Sequence, residues 1–396
     1  MDFRYNEEQL ALQETLRRFI ARDYGFERRR ALARSPLGYS AEAWTQYADL
    51  GLLALPLPAQ YGGLEGNGTD VMAVMEEVGA GLLLEPYVST VVLCGGLIRD
   101  YGSQSQRDTL LPEIAAGRAQ LAFAALEAPG RYELSYVASR AVHEAGGWRL
   151  CARKSVVLDA PSADYFLVSA RTAGEPGDAE GITLFLVPRT VAGVQLLPYA
   201  TQSGARAADL ELVDVRVGDS AVIGAVGQAL GMLRRGADLA AAALCAEAIG
   251  IVTALNQATL AYLKSRKQFG VPIGVFQALQ HRMADMYIAE EQIRSMAILA
   301  AVHADEPDVA ARQRAIGAAK AYIGRAARFV GEQAVQLHGA MGMVDDLIIS
   351  HYFKRLTMID ITLGDSDFHF ARFSDSLTRS CTALSRPANP HGVRGL

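Results

Sequence analysis

Cysteine is scarce in this chain, and its spacing excludes two kinds of site. The 396 residues include four cysteines, Cys94, Cys151, Cys245 and Cys381. They are too scattered to form a disulfide framework or a set of metal ligands. The seven histidines show no metal-ligand spacing either. We therefore expect a protein without a metal site, with reduced thiols, in a cytoplasmic setting.

Long apolar runs and an excess of positive charge are also absent. No stretch reaches the roughly 18 consecutive apolar residues that a membrane span needs. The formal net charge is −5, from 38 basic and 43 acidic residues. The arginines between Arg17 and Arg34 are interleaved with acidic residues, which argues against a transit peptide. The composition thus predicts neither a nucleic-acid partner nor a membrane partner.

Apolar sequence is abundant, and its pattern changes twice along the chain. Hydrophobic residues make up 51% of the chain, enough for two or three domains. Residues 1–117 and 223–380 show helical periodicity or alanine-rich, helix-forming sequence. Residues 118–222 show short apolar runs between turns, typical of a small β-barrel or sandwich. The fold class is therefore α+β, with an N-terminal helical domain, a middle β domain, a C-terminal helical bundle and a loose tail at 381–396.

The individual elements can be placed approximately. Helices are predicted at 7–20 and 69–80, and within the alanine-rich segments 237–248 and 310–327. Strands are predicted at 148–150, 155–158, 165–169, 182–187, 194–197 and 210–217.

A dense polar and aromatic cluster ends the most regular helical stretch. From Leu244 to Tyr262, apolar residues repeat at helical spacings, and Gly270 and Pro272 then provide turn chemistry. Arginine offers a two-pronged donor for phosphate, and phenylalanine offers a face for a ring. A salt-bridged arginine at an ordinary turn is the alternative. The cluster consists of Arg266, Gln268, Phe269, Phe276, Gln277 and Gln280.

Two motifs in this region resemble the signature of the acyl-CoA dehydrogenase family. The first runs from Arg266 to Asp285 and begins Arg-Lys-Gln-Phe-Gly. The second, from Ala334 to Gly342, resembles the family's Gln-x-x-Gly-Gly-x-Gly turn, with Ala340 replacing one glycine. In that family the arginine corner holds the FAD of a neighbouring subunit. The resemblance covers nearly the whole chain and implies the family fold, with FAD contacts from Arg266, Gln268, Phe269, Phe276, Gln277, Gln336, Leu337 and Gly339.

The resemblance also implies a reaction, but the residue that would perform it is missing. Family members remove an α-proton from an acyl-CoA thioester while the β-hydride passes to FAD, which requires a carboxylate base. With Gly364 aligned, the usual base position falls on Leu363, and Asp365 replaces a threonine. The position used by other members falls on Ala240. Neither side chain can accept a proton, so we expect no catalytic residue at either place.

The half of the flavin site that a subunit supplies to itself also departs from the family pattern. The family's Thr-Glu-Pro reads Leu126-Glu127-Ala128, and its ring-holding tryptophan and threonine become Val156 and Leu158. The Gly-Ser-Asp loop of the substrate site becomes Gly130-Arg131-Tyr132. Aliphatic side chains in place of buried hydroxyls are what a packed, non-catalytic pocket prefers. The sequence thus predicts a packed pocket on the chain's own side and an intact cross-subunit corner.

From this asymmetry the sequence predicts the small subunit of a heteromeric acyl-CoA dehydrogenase. It would contribute contacts to FAD seated in a homologous large subunit that carries the base, in an α2β2 assembly. Segments 244–248 and 352–355 resemble the small subunit of pimeloyl-CoA dehydrogenases, and steroid side-chain dehydrogenases share this division of labour. The resemblance implies an acyl-CoA substrate, an electron-transfer flavoprotein as acceptor, and a role in lipid, dicarboxylate or steroid degradation.

Two other functions are compatible with the sequence. A self-sufficient homo-oligomer would need a relocated base, for which Asp365 and Glu247 are the candidates. Glu247 lies about 10 Å beyond Ala240 on the same helix face, too far for direct proton transfer. A buried, hydrogen-bonded Glu247 and a capping or ion-paired Asp365 are therefore the expected alternatives. The other function is that of a CoA-binding or scaffold protein that has lost flavin.

Overall fold

A computed structural model describes residues 4–384, and for 378–384 it describes the backbone alone. The strands lie between two helical regions, which confirms the α+β fold class. Of the tail predicted at 381–396, residues 381–384 end the last helix and the rest lies outside the described residues. The helices are α1 (Glu7–Asp23), α2 (Phe26–Arg34), α3 (Ala41–Asp49), α4 (Gly68–Gly81), α5 (Gly96–Tyr101), α6 (Gln104–Ala115), α7 (Ala229–Ser265), α8 (Gln277–Val302), α9 (Val309–His338), α10 (Ile348–Ile361) and α11 (Ser366–Leu384).

The middle domain is one eight-stranded sheet in the order β6-β7-β3-β2-β4-β5-β8, with β1 paired beside β4. All predicted strands are present, but the two predicted at 148–150 and 155–158 form one strand, and β1, β2 and β8 are additional. The sheet has its own apolar core, separate from the helical core. The strands are β1 (Leu121–Ala124), β2 (Arg140–Glu144), β3 (Gly147–Leu158), β4 (Tyr165–Arg171), β5 (Ile182–Pro188), β6 (Val194–Ala200), β7 (Arg206–Val217) and β8 (Val222–Ile223), and a separate hairpin pairs β9 (Lys267–Gln268) with β10 (Val271–Pro272).

Helix α7 is the central element of the helical core. Its 37 residues are buried almost continuously as far as Val252. Two glycines let it cross α4 closely: a Cβ at Gly250 would lie 1.7 Å from the Glu76 carbonyl oxygen, and one at Gly79 would lie 2.1 Å from the Glu247 carbonyl oxygen. This crossing fixes the position of Glu247 on α7.

Among the described residues, α7 is the one helix long and apolar enough to cross a membrane by length and composition. Within the fold, 89% of its most apolar window is buried. A helix at the centre of a domain has the same properties, so the finding is weak evidence for a span.

Short-range hydrogen bonds explain why several helices begin where they do. Asn6 and Gln9 form a reciprocal capping box at α1, and Asn67 and Asp70 form one at α4. Between α4 and α5 the chain instead forms a π-helical segment, Val88–Gly95. This wider turn places Ser89 beside the end of β3, where the candidate site lies.

Candidate functional site

The arginine corner is an exposed hairpin at the end of α7. Arg266 follows the last residue of the helix, and its carbonyl oxygen accepts a bond of 2.8 Å from the Ile273 amide. Its side chain is exposed and forms no ion pair with any described residue. Phe269, at the hairpin tip, has φ +53° and is 91% exposed. An unpaired guanidinium and an exposed ring are thus held together, ready to contact an external anionic, aromatic group.

The second motif contacts the last turn of α7, just before this hairpin, through one aromatic stack. The rings of Tyr262 and His338 are 4.4 Å apart and nearly parallel, at 25°. His338 also bonds the Ala334 carbonyl through Nδ1, at 2.9 Å, which holds the ring in place. The stack joins the end of α7 to the end of α9, so the two motifs share one surface.

The predicted FAD contacts occupy this surface with one exception. The side chain of Leu337 is buried in the helical core. Gly339 begins a 3-10 turn with φ +61°. The residues exposed on the surface are Arg266, Gln268, Phe269, Phe276, Gln277, Gln336 and Gly339.

A second site, on the chain's own side, is an open cavity of about 430 Å³ between the three domains. Its lining includes both vacant base positions, Ala240 and Leu363, and the altered flavin positions, Leu126, Val156 and Leu158. The prediction of a packed pocket is therefore wrong. Valine is much smaller than the tryptophan it replaces, and no neighbouring side chain among the described residues fills the space that is left.

Glu247 forms an ion pair in the cavity wall, between two helices of the C-terminal region. Both its carboxylate oxygens accept from Arg355 of α10, at 2.5 Å from Nε and 2.7 Å from Nη2. Glu247 is buried, and only 21% of the Arg355 side chain is exposed. Burial alone would lower the pKa of Arg355, but Glu247 more than offsets this and raises it. A carboxylate held at both oxygens is a structural ion-pair partner, which confirms the buried, hydrogen-bonded alternative for Glu247.

Asp365 is a helix cap. Its Oδ1 accepts from the Phe368 amide at 2.9 Å, at the start of α11. The preceding turn is fixed by the buried Lys320, which donates to three carbonyls, those of Ile359, Asp360 and Gly364. Within it Leu363 has φ +57°. The capping role predicted for Asp365 is thus present.

A further carboxylate, which the sequence analysis did not single out, lines the cavity. Asp159 follows β3 and accepts from the Ser89 hydroxyl at 2.5 Å. Burial raises its pKa to about 6, although Ser89 and Arg355 act in the opposite direction. Its φ of +58° is typical of an asparagine or aspartate turn position. That position after a strand was the one available signal in the sequence.

The altered Leu126-Glu127-Ala128 segment is also held in place, by hydrogen bonds to Glu127 from within the middle domain. Glu127 accepts from Lys154 at 2.7 Å and from the amides of Ser139 and Ala138. Burial alone would raise the pKa of Glu127, but these donors lower it, and burial lowers the pKa of Lys154 to about 8. Glu127 is therefore engaged in holding β3 to its neighbours.

The exposed corner and the cavity are far apart and differ in the side chains that they offer to FAD. From Glu247 to the end of α7 at Ser265 the helix rises about 27 Å. The corner offers a free cation and an exposed ring, which fit the phosphates and rings of a dinucleotide. The cavity wall at Val156 and Leu158 offers no side-chain donor to a flavin ring. The residues present therefore fit FAD at the corner and fit it poorly at the cavity.

Comparison with known proteins places this geometry in a family. The N-terminal, middle and C-terminal domain models of acyl-CoA dehydrogenase match residues 6–118, 122–215 and 202–377. The probable acyl-CoA dehydrogenase YngJ of Bacillus subtilis is 27% identical over 83% of this chain and 87% of its own length.

Two solved structures extend the likeness. A variant of the Tcur3481-Tcur3483 steroid ACAD is 30% identical, with a TM-score of 0.85 over 95% of this chain and 99% of that one. Butyryl-CoA dehydrogenase from Megasphaera elsdenii is 22% identical, with a TM-score of 0.88 over 96% of this chain and 100% of that one, and it shares the fold. The chain therefore belongs to the acyl-CoA dehydrogenase family, and it is an FAD-dependent oxidoreductase.

Proposed function

We propose that this chain is the small, non-base-bearing subunit of a heteromeric acyl-CoA dehydrogenase. It contributes Arg266 and the surrounding corner to FAD seated in a homologous large subunit, and that subunit removes the α-proton of the acyl-CoA. Bound FAD supplies the hydride acceptor for α,β-desaturation. The assembly is α2β2, its electrons pass to an electron-transfer flavoprotein, and the chain resembles the small subunit of pimeloyl-CoA dehydrogenases.

One observation carries the proposal: the two halves of the family's FAD site have diverged on the same chain. The corner keeps an exposed, unpaired Arg266 beside Phe269. About 27 Å away, the cavity has Leu363 and Ala240 at the base positions, and the carboxylate of Glu247 is held by Arg355. The name of the 30% identical steroid ACAD joins two designations, which is consistent with a pair of different chains.

The first test is the ratio of flavin to protein. The chain should be co-expressed with a homologous dehydrogenase encoded beside it, and the complex purified through a tag on this chain. We expect a mixed complex with one FAD for every two chains, and colourless or insoluble protein when this chain is expressed alone. One FAD per chain in a sample of this chain alone would contradict the proposal.

The second test removes the charge at the corner. Arg266→Gln, made in this chain of the complex, should weaken FAD binding about 10–100-fold, because charge-assisted hydrogen bonds contribute about 1.5–3 kcal/mol. Folding should be unaffected, because the side chain is exposed and makes no ion pair among the described residues. Lys264→Gln removes an equal charge from the same helix end and should leave FAD binding unchanged.

The open cavity favours one second candidate function, a self-sufficient homo-oligomer. A packed pocket would exclude it, whereas a cavity of about 430 Å³ lined by Asp159 leaves room for a substrate near a carboxylate. The test is Asp159→Asn in this chain purified alone, which preserves the turn and the bond to Ser89. This candidate requires dehydrogenase activity in the parent protein and a loss of at least about 100-fold in the variant.

A further inference from the structure

A buried arginine without an acidic partner lies in the cavity wall. Arg29 of α2 is 2% exposed and lines the cavity. Its Nη1 bonds His351 Nδ1 at 2.9 Å, its Nε donates to the Leu82 carbonyl at 3.4 Å, and its Nη2 donates to the Ser203 carbonyl. No carboxylate of a described residue lies within ion-pair distance. These contacts use three of the five guanidinium protons, and the other two form no hydrogen bond with a described residue.

Burial lowers the pKa of Arg29, but a guanidinium is so basic that it stays protonated in a protein. The Nε2 of His351 lies 2.9 Å from the Asp345 carbonyl, so it carries the proton and Nδ1 accepts from Arg29. Burial, and then the neighbouring Arg29, lower the pKa of His351, which keeps the ring neutral. The groups that Arg29 contacts directly are therefore all neutral, and the Asp345 carboxylate, on the far side of His351, acts on it only through space. A buried cation with neutral partners alone is uncommon, because burying a charge without its opposite is costly.

The carboxylates that share the cavity are committed elsewhere. Glu247 is bound to Arg355, Glu127 to Lys154, and Asp159 to Ser89. Glu85 accepts from the Tyr24 hydroxyl and from two backbone amides, and burial raises its pKa to about 7. None of them balances Arg29, so a negative charge brought in by a ligand would do so.

The rest of the wall determines the other part of such a ligand. The cavity encloses about 430 Å³ and is lined mainly by aliphatic and aromatic side chains. A bulky apolar group fits there, whereas a second charged group would have to leave water for an apolar wall. Representative lining residues are Met75, Leu83, Phe123, Leu244, Met358 and Ile361.

We propose that this cavity is a binding site for a carboxylate with an apolar body, whose carboxylate meets the two free guanidinium protons of Arg29. The apolar body lies along the aliphatic wall toward Leu363. The site belongs to this chain alone and does not depend on whether Arg266 contacts FAD in a partner. The carboxylate comes either from a free aliphatic acid or from the far end of an acyl thioester that carries a second carboxyl group.

The test compares two probes of equal length, octanoate and 1-octanol, by calorimetry on the full chain in the complex in which it purifies. Octanoate should bind at least 10-fold more tightly than 1-octanol. Arg29→Gln should abolish this preference and leave 1-octanol binding within about threefold, and Arg29→Lys should restore part of it. Arg131→Gln, which removes an exposed arginine at the edge of the same cavity, should leave the preference intact.

A cavity-filling variant assigns the binding to this chain rather than to its partner. Ala240→Phe places a ring in the cavity and should abolish octanoate binding even with Arg29 in place. If Arg29→Gln does not fold, the proposal is tested by two other results. The parent protein should prefer octanoate over 1-octanol, and Ala240→Phe should not bind octanoate. Equal affinity for octanoate and 1-octanol, no binding at millimolar octanoate, or unchanged binding in Ala240→Phe would each overturn the proposal.

Binding of two thioesters shows whether the carboxylate belongs to a free acid or to the far end of an acyl thioester. Tighter binding of the octanedioic acid mono-CoA thioester than of octanoyl-CoA, lost in Arg29→Gln, supports the site and identifies the second carboxyl group of a thioester as its ligand. Octanoate binding that neither thioester displaces supports the site and identifies a free acid. A failure of the octanoate test would leave the flavin ratio of the complex unaffected, so the two proposals can fail separately.

Discussion

We expect the buried ion pair between Glu247 and Arg355 to stabilise the fold. Glu247→Gln keeps the shape of the side chain but leaves Arg355, which is 21% exposed, without its bidentate partner. Breaking a buried pair costs about 3–5 kcal/mol. Asp159 also stabilises the charge of Arg355, so the arginine keeps one acidic neighbour in this variant. We therefore expect a loss of stability at the lower end of this range, about 3 kcal/mol. Arg355→Met leaves the carboxylates of Glu247 and Asp159 to repel each other without a cation between them. We therefore expect this variant to lose about 5 kcal/mol of stability.

These free energies translate into modest shifts of the melting temperature. Unfolding entropies of about 2.1 cal/mol/K per residue give roughly 0.8 kcal/mol/K for a cooperative chain of this length. Calorimetry should therefore show Tm falling by about 4 °C for Glu247→Gln and about 6 °C for Arg355→Met. The double variant Glu247→Leu with Arg355→Met should return to within about 1 kcal/mol of the parent protein, because an apolar pair replaces the buried ions.

A surface pair on α9 is the matched control. Arg328 and Glu332 are 64% and 50% exposed, so Glu332→Gln should change stability by less than about 0.5 kcal/mol. If Glu247→Gln were equally mild, or if the double variant were as unstable as the two single variants combined, the structural role of the pair would be refuted. A 10²–10⁴-fold loss of activity in a stable Glu247→Gln complex would instead identify Glu247 as a base.

Three further predictions follow from single contacts. Gly364→Ala should destabilise the chain by about 2 kcal/mol or more in chemical denaturation, because φ is +113° and the new Cβ would lie 2.5 Å from the Phe368 ring. Because burial raises the folded pKa of Asp159 to about 6, the folded chain binds that proton more tightly than the unfolded chain. Stability should therefore fall by about 2–3 kcal/mol as pH rises from about 4 to 6, and Asp159→Asn should remove that slope in pH-dependent melting. Tyr262→Ala removes the stack on His338 and should weaken FAD binding by the complex about 10-fold in flavin titration, with little change in the circular dichroism spectrum.

Much of the fold could be predicted from the sequence because the periodicities are strong. The short apolar runs of β3 to β7 and the alanine-rich segments of α7 and α9 predict their own elements. β1 has only four residues and β2 is largely exposed, so neither shows a clear pattern. The π-helical segment at Val88–Gly95 reads as an ordinary apolar helix, because nothing in its composition distinguishes a wider turn.

The site was predictable only in part, because its main contacts join residues far apart in sequence. The corner at Arg266 and the missing base at Leu363 are visible in the motifs. The pair between Glu247 and Arg355 spans 108 positions, and the contact between Arg29 and His351 spans 322. The cavity was also missed, since the volume left by a small side chain depends on whether its neighbours in the fold fill the space, and a sequence does not show which residues those neighbours are.

The most direct test of the central claim is a structure of the complex co-purified through this chain. We predict that the flavin ring lies against the sheet of the partner subunit while Arg266 of this chain contacts the FAD phosphates, and that the cavity of this chain holds no flavin. A flavin ring lying against Val156 and Leu158 of this chain would contradict the account.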